Sequence, residues 1–427
     1  MKSAACGNAF ADARGAFADE PAPTESAAGV WPFVSVLVPV RNEERHLERT
    51  LQALLTQDYP TERYEVIVAD GQSEDGTVAI VRRWQERYAQ LHLVANPRRW
   101  SSAGRNAAWR HSRGEYIVIV DGHCHLPDRR YLRHVVEAFA TSGADCLGRP
   151  QPLEVPDPTP FQEAVALARR SWLGHNPDSD IFADTPRFIP AQNTAVAYRR
   201  EVFHQVGLFD ETFDACEDVE FNTRVDQAGL RCYFAPALRV HYEPRRSFGA
   251  LFYQLRRYGT GRARLAFKHP QALTLPAVLP PLLLVGLLAS LLAAAFWPHL
   301  LLLLGLAAAG YLLLLVAVSL VVGRGRSWRV RCRIPLAFVA IHFGFAWGFL
   351  EEVVRQIGRR VRRVVQKLRA WLPMRWAIQK LRAIGQRWRG ALVRPYALDQ
   401  PGRSPAEETD ERGPIQATAA GGGAGGG

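Results

Sequence analysis

Tyr116-Ile117-Val118-Ile119-Val120-Asp121-Gly122-His123-Cys124-His125 is the stretch that decides how this chain is read. Tyr116 to Val120 are continuously apolar and largely β-branched, which predicts a strand buried on both faces. The run stops at a carboxylate, a glycine and an imidazole. Ligands of open α/β sheets bind outside the carboxyl ends of the strands. Asp121 and His123 are therefore presented where a divalent cation could be held against a diphosphate.

Working towards the N-terminus, the pattern repeats. Phe33 to Val40 predict a first buried strand, followed by Arg41-Asn42-Glu43-Glu44 and a helical face of Leu47, Leu51, Leu54 and Leu55. Tyr64 to Asp70 predict a second strand, closed by Gly71-Gln72-Ser73-Glu74-Asp75-Gly76-Thr77 and an amphipathic helix over Val78 to Tyr88. Leu91 to Val94 read as a short third strand, and Ser101 to Trp109 open a helix that leads into Tyr116. Strand–helix alternation at this spacing predicts a mostly parallel, Rossmann-like α/β sheet with right-handed crossovers. Neither G-x-G-x-x-G nor G-x-x-x-x-G-K-[ST] falls in this region, which argues against a dinucleotide or P-loop site.

Towards the C-terminus, Thr141 to Pro160 are proline-rich and irregular, and Phe161 to Trp172 predict a helix. Phe188 to Thr194 precede a small strand over Ala195 to Tyr198 and a helix over Glu201 to Val206. Asp214-Ala215-Cys216-Glu217-Asp218-Val219-Glu220 is an acidic entry to a helix ending at Gly229. Arg231 to Ala235 and Leu238 to His241 read as closing strand pieces. Tyr253 to Gly259, with Gln254, Arg256 and Arg257, is basic and aromatic together.

The composition then changes. Leu275 to Phe296 and Leu300 to Val322 are uncharged and each long enough to span a bilayer, with Trp297-Pro298-His299 between them. Arg324 to Arg333 carry five arginines, a cytoplasmic signature by the positive-inside rule. Ile334 to Leu350, with His342, form a third apolar run at the short limit for spanning. Arg355 to Arg394 alternate apolar and basic residues at helical spacing, as membrane-surface helices do. Two rules collide here: three crossings place this basic segment outside, whereas its charge places it inside. The sequence leaves the third run open, as spanning, re-entrant or interfacial.

The 427 residues carry a formal charge of +12, and the basic excess lies beyond Gly323, beside the apolar segments. That position points to anionic membrane lipids and away from nucleic acid. Six scattered cysteines without a C-x-x-C pair fit reduced thiols facing the cytosol. Residues 1–30 lack the basic start and apolar core of a signal peptide, and with 396–427 they read as disordered tails. The expected organisation is an α/β domain over 31–248, a juxtamembrane segment over 249–272, a membrane region of two to three helices over 273–353 and a basic helical segment over 354–395.

Residues 33–258 resemble the family 2 inverting glycosyltransferases of the GT-A fold, and the apolar tail is similar to that of the succinoglycan-type bacterial polysaccharide glycosyltransferases. The resemblance rests on Val38-Pro39 into Asn42-Glu43, on Asp70, on Ala103 to Asn106, on Asp121-Gly122-His123, on Glu217-Asp218 and on Gln254-x-x-Arg257-Tyr258. It implies a donor site of Pro39, Asn42, Glu43, Asp70, Arg105, Asp121, Gln254 and Arg257, with Asp70 on the uracil and Arg105 and Arg257 on the diphosphate. Asp70-Gly71 read by itself is equally a turn, and Asp75-Gly76-Thr77 a turn and helix start. The family's D-x-D metal motif stands here as Asp121-Gly122-His123, with His241 as a further ligand of Mn²⁺ or Mg²⁺; the imidazole tilts the site towards a transition metal. Cys124 and His125 alone do not make a zinc site. Asp218 is the implied catalytic base and Glu217 a supporting or acceptor-contacting group, although an acidic pair at a helix N-terminus also suits the helix dipole. Tyr258 stands where membrane synthases have Trp in Q-x-x-R-W, and the same stripe could bind lipid headgroups.

The resulting expectation is a multi-pass enzyme of the inner plasma membrane with its catalytic domain in the cytoplasm. It would move a sugar from a nucleotide sugar, expected to be a UDP-sugar, to a polyprenyl-diphosphate-linked saccharide. A processive polysaccharide synthase, a polyprenyl-phosphate sugar synthase and a degenerate membrane scaffold are the alternatives left open.

Overall fold

The computed structural model describes residues 31–175, 179–371 and 380–385. The tails expected at 1–30 and 396–427 lie outside the described residues, as do 372–379 and 386–395 of the basic segment. The chain separates into two compact units at Arg360/Val361. The first holds the α/β domain and the apolar helices.

Strands β1 (Val34–Val40), β2 (Tyr64–Asp70), β3 (Leu91–Ala95) and β4 (Tyr116–Ile119) alternate with helices α1 (Leu47–Leu55), α2 (Thr77–Gln85) and α3 (Ser101–His111). They form a parallel half-sheet in the order β3-β2-β1-β4. Val40 lies opposite Asp70, and Leu37 opposite Ile119. The order reverses between β1 and β4, which opens a crevice beyond their carboxyl ends.

The other half is mixed. After β5 (Cys124–His125), α4 (Tyr131–Ser142), β6 (Cys146–Gly148), α5 (Pro160–Arg170), β7 (Arg187–Ile189) and α6 (Ala191–Thr194), strand β8 (Ala195–Arg199) runs antiparallel to β4. Helices α7 (Arg200–Val206) and α8 (Glu217–Gln227) lead to β9 (Cys232–Phe234) and β10 (His241–Tyr242). The eight-stranded order continues β4-β8-β6-β9-β7, while β5 and β10 make a separate two-stranded antiparallel ladder. β6 corrects the irregular reading of 141–160. Three residues are too few to show a period, and this strand exists because β8 and β9 pair with its two edges. Leu238 to His241 likewise resolve into a helical turn started by Pro236 and the two residues of β10.

Alternate residues of the central strands feed two cores. Val36, Val38, Val66, Val68 and Val118 meet Leu47, Leu51, Leu54 and Phe139 on one face. Leu37, Ile67, Ile117 and Ile119 meet Ala108, Phe203 and Phe221 on the other. Burial on both faces explains the unbroken apolar runs; each fully buried leucine or valine contributes about 1.5–3 kcal/mol.

Beyond β10, α9 (Phe248–Lys268) is one long helix, followed by α10 (Leu275–Ala293), α11 (Leu300–Val322), the short α12 (Trp328–Arg331) and α13 (Ile334–Trp371). The third apolar run and the start of the basic segment are thus a single helix. Length and composition would let α10, α11 and the stretch Trp328–Lys367 cross a membrane. A third core joins Val165 and Ala168 of α5, Leu251 and Leu255 of α9, Leu315 of α11 and Phe338 and Ile341 of α13.

Candidate active site

The loops after β1 and β2 are bound to each other. Asn42 takes a left-handed φ of 56°, a conformation its short polar side chain tolerates. Its N–H donates to Ser73 Oγ at 2.9 Å, and its Oδ1 accepts from the Glu74 N–H at 2.9 Å. The Glu43 N–H donates to Thr77 Oγ1 at 2.8 Å, and the Gly76 N–H to Glu44 Oε2 at 2.9 Å. Asp70 folds over its own turn, accepting from the Ser73 N–H at 3.2 Å. Asp75 accepts from the Thr77 N–H at 3.0 Å and so serves the start of α2. Asn42 and Asp70 thereby shape the crevice wall, with half-exposed Asp70 still open to a ligand.

Gly122 makes the central motif possible. A Cβ there would lie 2.7 Å from Val40 Cγ1, so only glycine lets Asp121 and His123 cross the end of β1. Thr50 Oγ1 lies 2.9 and 2.8 Å from the carbonyls of Gly122 and Cys124 and fixes the turn. His123 Nδ1 is hydrogen-bonded to Glu43 Oε1 at 2.9 Å, while Tyr242 meets the ring edge-on at 4.8 Å. His123 Nε2 is buried without a partner. A carboxylate holding one ring nitrogen while the other stays free is how ligating histidines are oriented. Asp121 and His123 therefore fit a divalent cation. Among the described residues no group of three or more His, Cys, Asp or Glu side chains is gathered for a metal, which leaves further positions to a diphosphate and water. His241 lies opposite His125 in the β5–β10 ladder and 3.4 Å from Glu154. Its neighbour Tyr242 is the residue that meets His123.

Arg105, on α3, links the two carboxylate groups of the site. Its Nη2 lies 3.4 Å from Asp121 Oδ1 and 3.3 Å from Glu217 Oε1, with its side chain only 8% exposed. Burial works against its charge, but Glu217, Asp121 and Asp218 outweigh that and raise its pKa further. Burial pushes the Glu217 carboxyl up, against the pull of Arg105. For Asp121 the balance goes the other way: despite burial, Arg105, His123 and Arg149 hold it below the usual carboxylate range. Asn106 has a different task, pinning the Phe209 N–H to its Oδ1 at 3.0 Å and so the loop before α8.

The acidic pair divides at the start of α8. Cys216 adopts a left-handed φ of 59° as the N-cap, which turns Glu217 inward onto Arg105. Asp218 is exposed, with Oδ1 accepting from the Val219 N–H at 2.8 Å. Gln254 Nε2 donates to Tyr258 Oη at 3.2 Å and lies 3.4 Å from Tyr242 Oη, so the motif on α9 reaches His123 through Tyr242. Arg257 donates to the Asp214 carbonyl, in the loop that carries Glu217. Pro39 backs the site, 3.2 Å from where a Cβ on Gly104 of α3 would lie.

Two residues of the site escaped the sequence reading. No motif marks Tyr242 beside His241, whose imidazole is the commoner ligand type. Arg149, buried after β6 and hydrogen-bonded to Tyr131 Oη at 2.7 Å, adds positive charge near Asp121. Its only signal was an arginine in a segment with no visible strand.

Residues 35–207 match the sequence profile of the glycosyl transferase family 2. The chain is 31% identical over 264 residues to a succinoglycan biosynthesis protein, ExoA, of Rhizobium meliloti, covering 61% of this chain and 78% of that protein. It is 29% identical over 239 residues to the glycosyltransferase AglE of Haloferax volcanii, covering 55% and 74%. A mannosyltransferase of Pyrobaculum calidifontis, solved with GDP-Man and Mn²⁺, superposes with a TM-score of 0.49 at 23% identity, over 77% of this chain and 91% of that one.

Proposed function

Because this chain belongs to glycosyl transferase family 2, we propose that it is a membrane-anchored, metal-dependent inverting transferase. Its donor is a nucleotide sugar, with UDP as the expected nucleotide. Its acceptor is a polyprenyl-diphosphate-linked saccharide at the cytoplasmic face of the inner membrane, and its product serves cell-surface polysaccharide. The succinoglycan protein's name and the apolar helices after the α/β domain support this reading.

The observation that carries the mechanism is the division of the acidic pair. Exposed Asp218 stands beside a buried Glu217–Arg105–Asp121 chain. Asp218 takes the proton of the acceptor hydroxyl as its oxygen attacks the anomeric carbon from the face opposite the leaving group. The new C–O bond forms as the bond to the nucleoside diphosphate breaks, and the configuration inverts. Asp121 and His123 would hold a divalent cation, which neutralises charge on the departing diphosphate. Arg105 keeps Asp121 ionised and Glu217 in place, so its role is positioning as much as diphosphate contact. Asp70 is open to the base, and Arg257, tied to the Asp214 carbonyl, is the further cation for the diphosphate.

The test is transfer from a panel of UDP- and GDP-sugars by the purified full-length protein with membrane lipid extract. The product's anomeric configuration is read by NMR. Inversion with release of one nucleotide is expected; retention of configuration would refute Asp218 as base.

A further inference from the structure

We propose that α13 is not a third membrane crossing. It lies along the membrane surface, clamped to the α/β domain, so that α10 and α11 are the two crossings. The proposal rests on reading that helical pair as spanning, and it places the chain beyond α11 on the same side of the membrane as the α/β domain.

The first observation is burial. In the most apolar window of each candidate, 11% of α10 and 11% of α11 is buried in the protein, against 50% for the stretch containing α13. Ile334, Ala337, Phe338, Ala340 and Ile341 pack on α5, α9 and the end of α11. The apolar run at Ile334 to Leu350 is thus largely accounted for by protein contact.

The second observation fixes the depth. α13 lies against α9 at van der Waals distance through glycines. A Cβ on Gly344 would be 2.7 Å from the Phe252 carbonyl, and one on Gly348 1.9 Å from that of Arg256. A Cβ on Gly259 of α9 would be 2.0 Å from the Phe345 carbonyl. α9 in turn carries Arg256, Arg257, Arg262, Arg264 and Lys268. Two of these charges are held by carboxylates of the α/β domain. Arg264 lies 3.3 Å from Asp214 Oδ1, and Lys268 2.8 Å from Glu220 Oε1, both in the α/β domain. On the α13 side, Arg256 pairs with Glu351 at 2.8 Å and Arg264 with fully buried Glu352 at 3.3 Å. If α13 crossed the hydrocarbon, α9 and these charges would have to enter it as well, which the cost of intramembrane charge forbids.

The third observation names what covers the other face. Leu336, Trp347, Val354 and Ile357 are exposed. At 3.6 residues per turn they fall within a sector of about 80°, centred roughly 120° round the helix from the glycines. Arg355 and Arg359 project on the glycine side instead, paired with Glu351 and Glu352. An exposed apolar stripe on a helix that follows α11 and the short α12 fits the interface of a lipid surface.

Sidedness decides it. Single cysteines at His299→Cys, Ser327→Cys and Ser404→Cys are introduced into the full chain in bacterial spheroplasts. Each is exposed to a membrane-impermeant maleimide before and after permeabilisation, and labelled peptides are identified by mass spectrometry. The expected result is labelling of His299→Cys in intact spheroplasts, with Ser327→Cys and Ser404→Cys labelled only after permeabilisation. Labelling of Ser404→Cys in intact spheroplasts would mean an odd number of crossings and overturn the proposal. Protection of His299→Cys until permeabilisation would instead refute the spanning pair itself, and the proposal with it, while leaving the transferase reading to its own assay.

Discussion

Asp218 and Glu217 are adjacent in sequence yet do opposite things, because the left-handed Cys216 turns one into the protein and leaves the other in the crevice. Asp218→Asn is expected to lower kcat by about 10²–10⁴, the usual contribution of a general base, with donor affinity unchanged by calorimetry. Loss of donor affinity would reassign Asp218 to the donor. Arg105→Met leaves buried Glu217 and half-buried Asp121 without their cation, so a loss of up to about 3–5 kcal/mol of stability is expected in chemical denaturation; an unchanged midpoint would contradict the bridge. Gly122→Ala drives a methyl to 2.7 Å from Val40 Cγ1. A cost of about 1–3 kcal/mol from overpacking is expected, together with weaker metal stimulation of activity, since Asp121 and His123 flank the strained turn. At this scale the motifs were legible as residues but not as partners. Nothing in the spacing of Asp121 and Glu217 announces that one guanidinium touches both, since that contact exists only once α3 and α8 pack on the sheet.

At the scale of elements, the parallel half of the sheet was readable because each strand is long and buried on both faces. The mixed half was not. β5, β6 and β7 have two or three residues each, and neighbouring strands maintain them in place of any pattern of their own. The α9–α13 contact was equally hidden, because glycines spaced along an apolar helix look like tolerated interruptions. Gly348→Leu is expected to separate the two helices and lower the melting temperature in detergent by several degrees. Gly358→Ala, whose Cβ meets open space, should leave it unchanged or slightly raised; equal effects of the two would argue against a close helix contact. α9 is also tied to the loop before α8 by Lys268 and Asp210. Burial opposes ionisation of Asp210, but its bonds to Lys268 and Thr212 bring its pKa from 3.8 to about 2. The folded value is depressed, so this stabilisation is complete above about pH 4 and fades as pH falls towards 2. Asp210→Asn should flatten that part of the acid-unfolding curve; an identical acid limb would remove Asp210 from the anchor.

For the whole molecule, a family 2 glycosyltransferase domain is joined to a pair of long apolar helices through α9. That helix touches the loop of the acidic pair at one side and α13 at the other. The sequence contained a contradiction between three apolar runs and a basic tail, and spacing could not resolve it. Apolar residues that face protein and apolar residues that face lipid are written alike. Only the packing of α13 on α5 and α9 separates them.

The central claim is that Asp218 acts as base on an acceptor while Asp121 and His123 serve the donor's cation. Nucleotide release from the preferred donor, measured with lipid extract for the wild type and for Asp218→Asn, with Mn²⁺, Mg²⁺ or a chelator, tests it most directly. The predicted result is release by the wild type that the chelator abolishes, release by Asp218→Asn lowered by about 10²–10⁴, and equal donor binding by both proteins. Release by Asp218→Asn at the wild-type rate, or release untouched by the chelator, would contradict it.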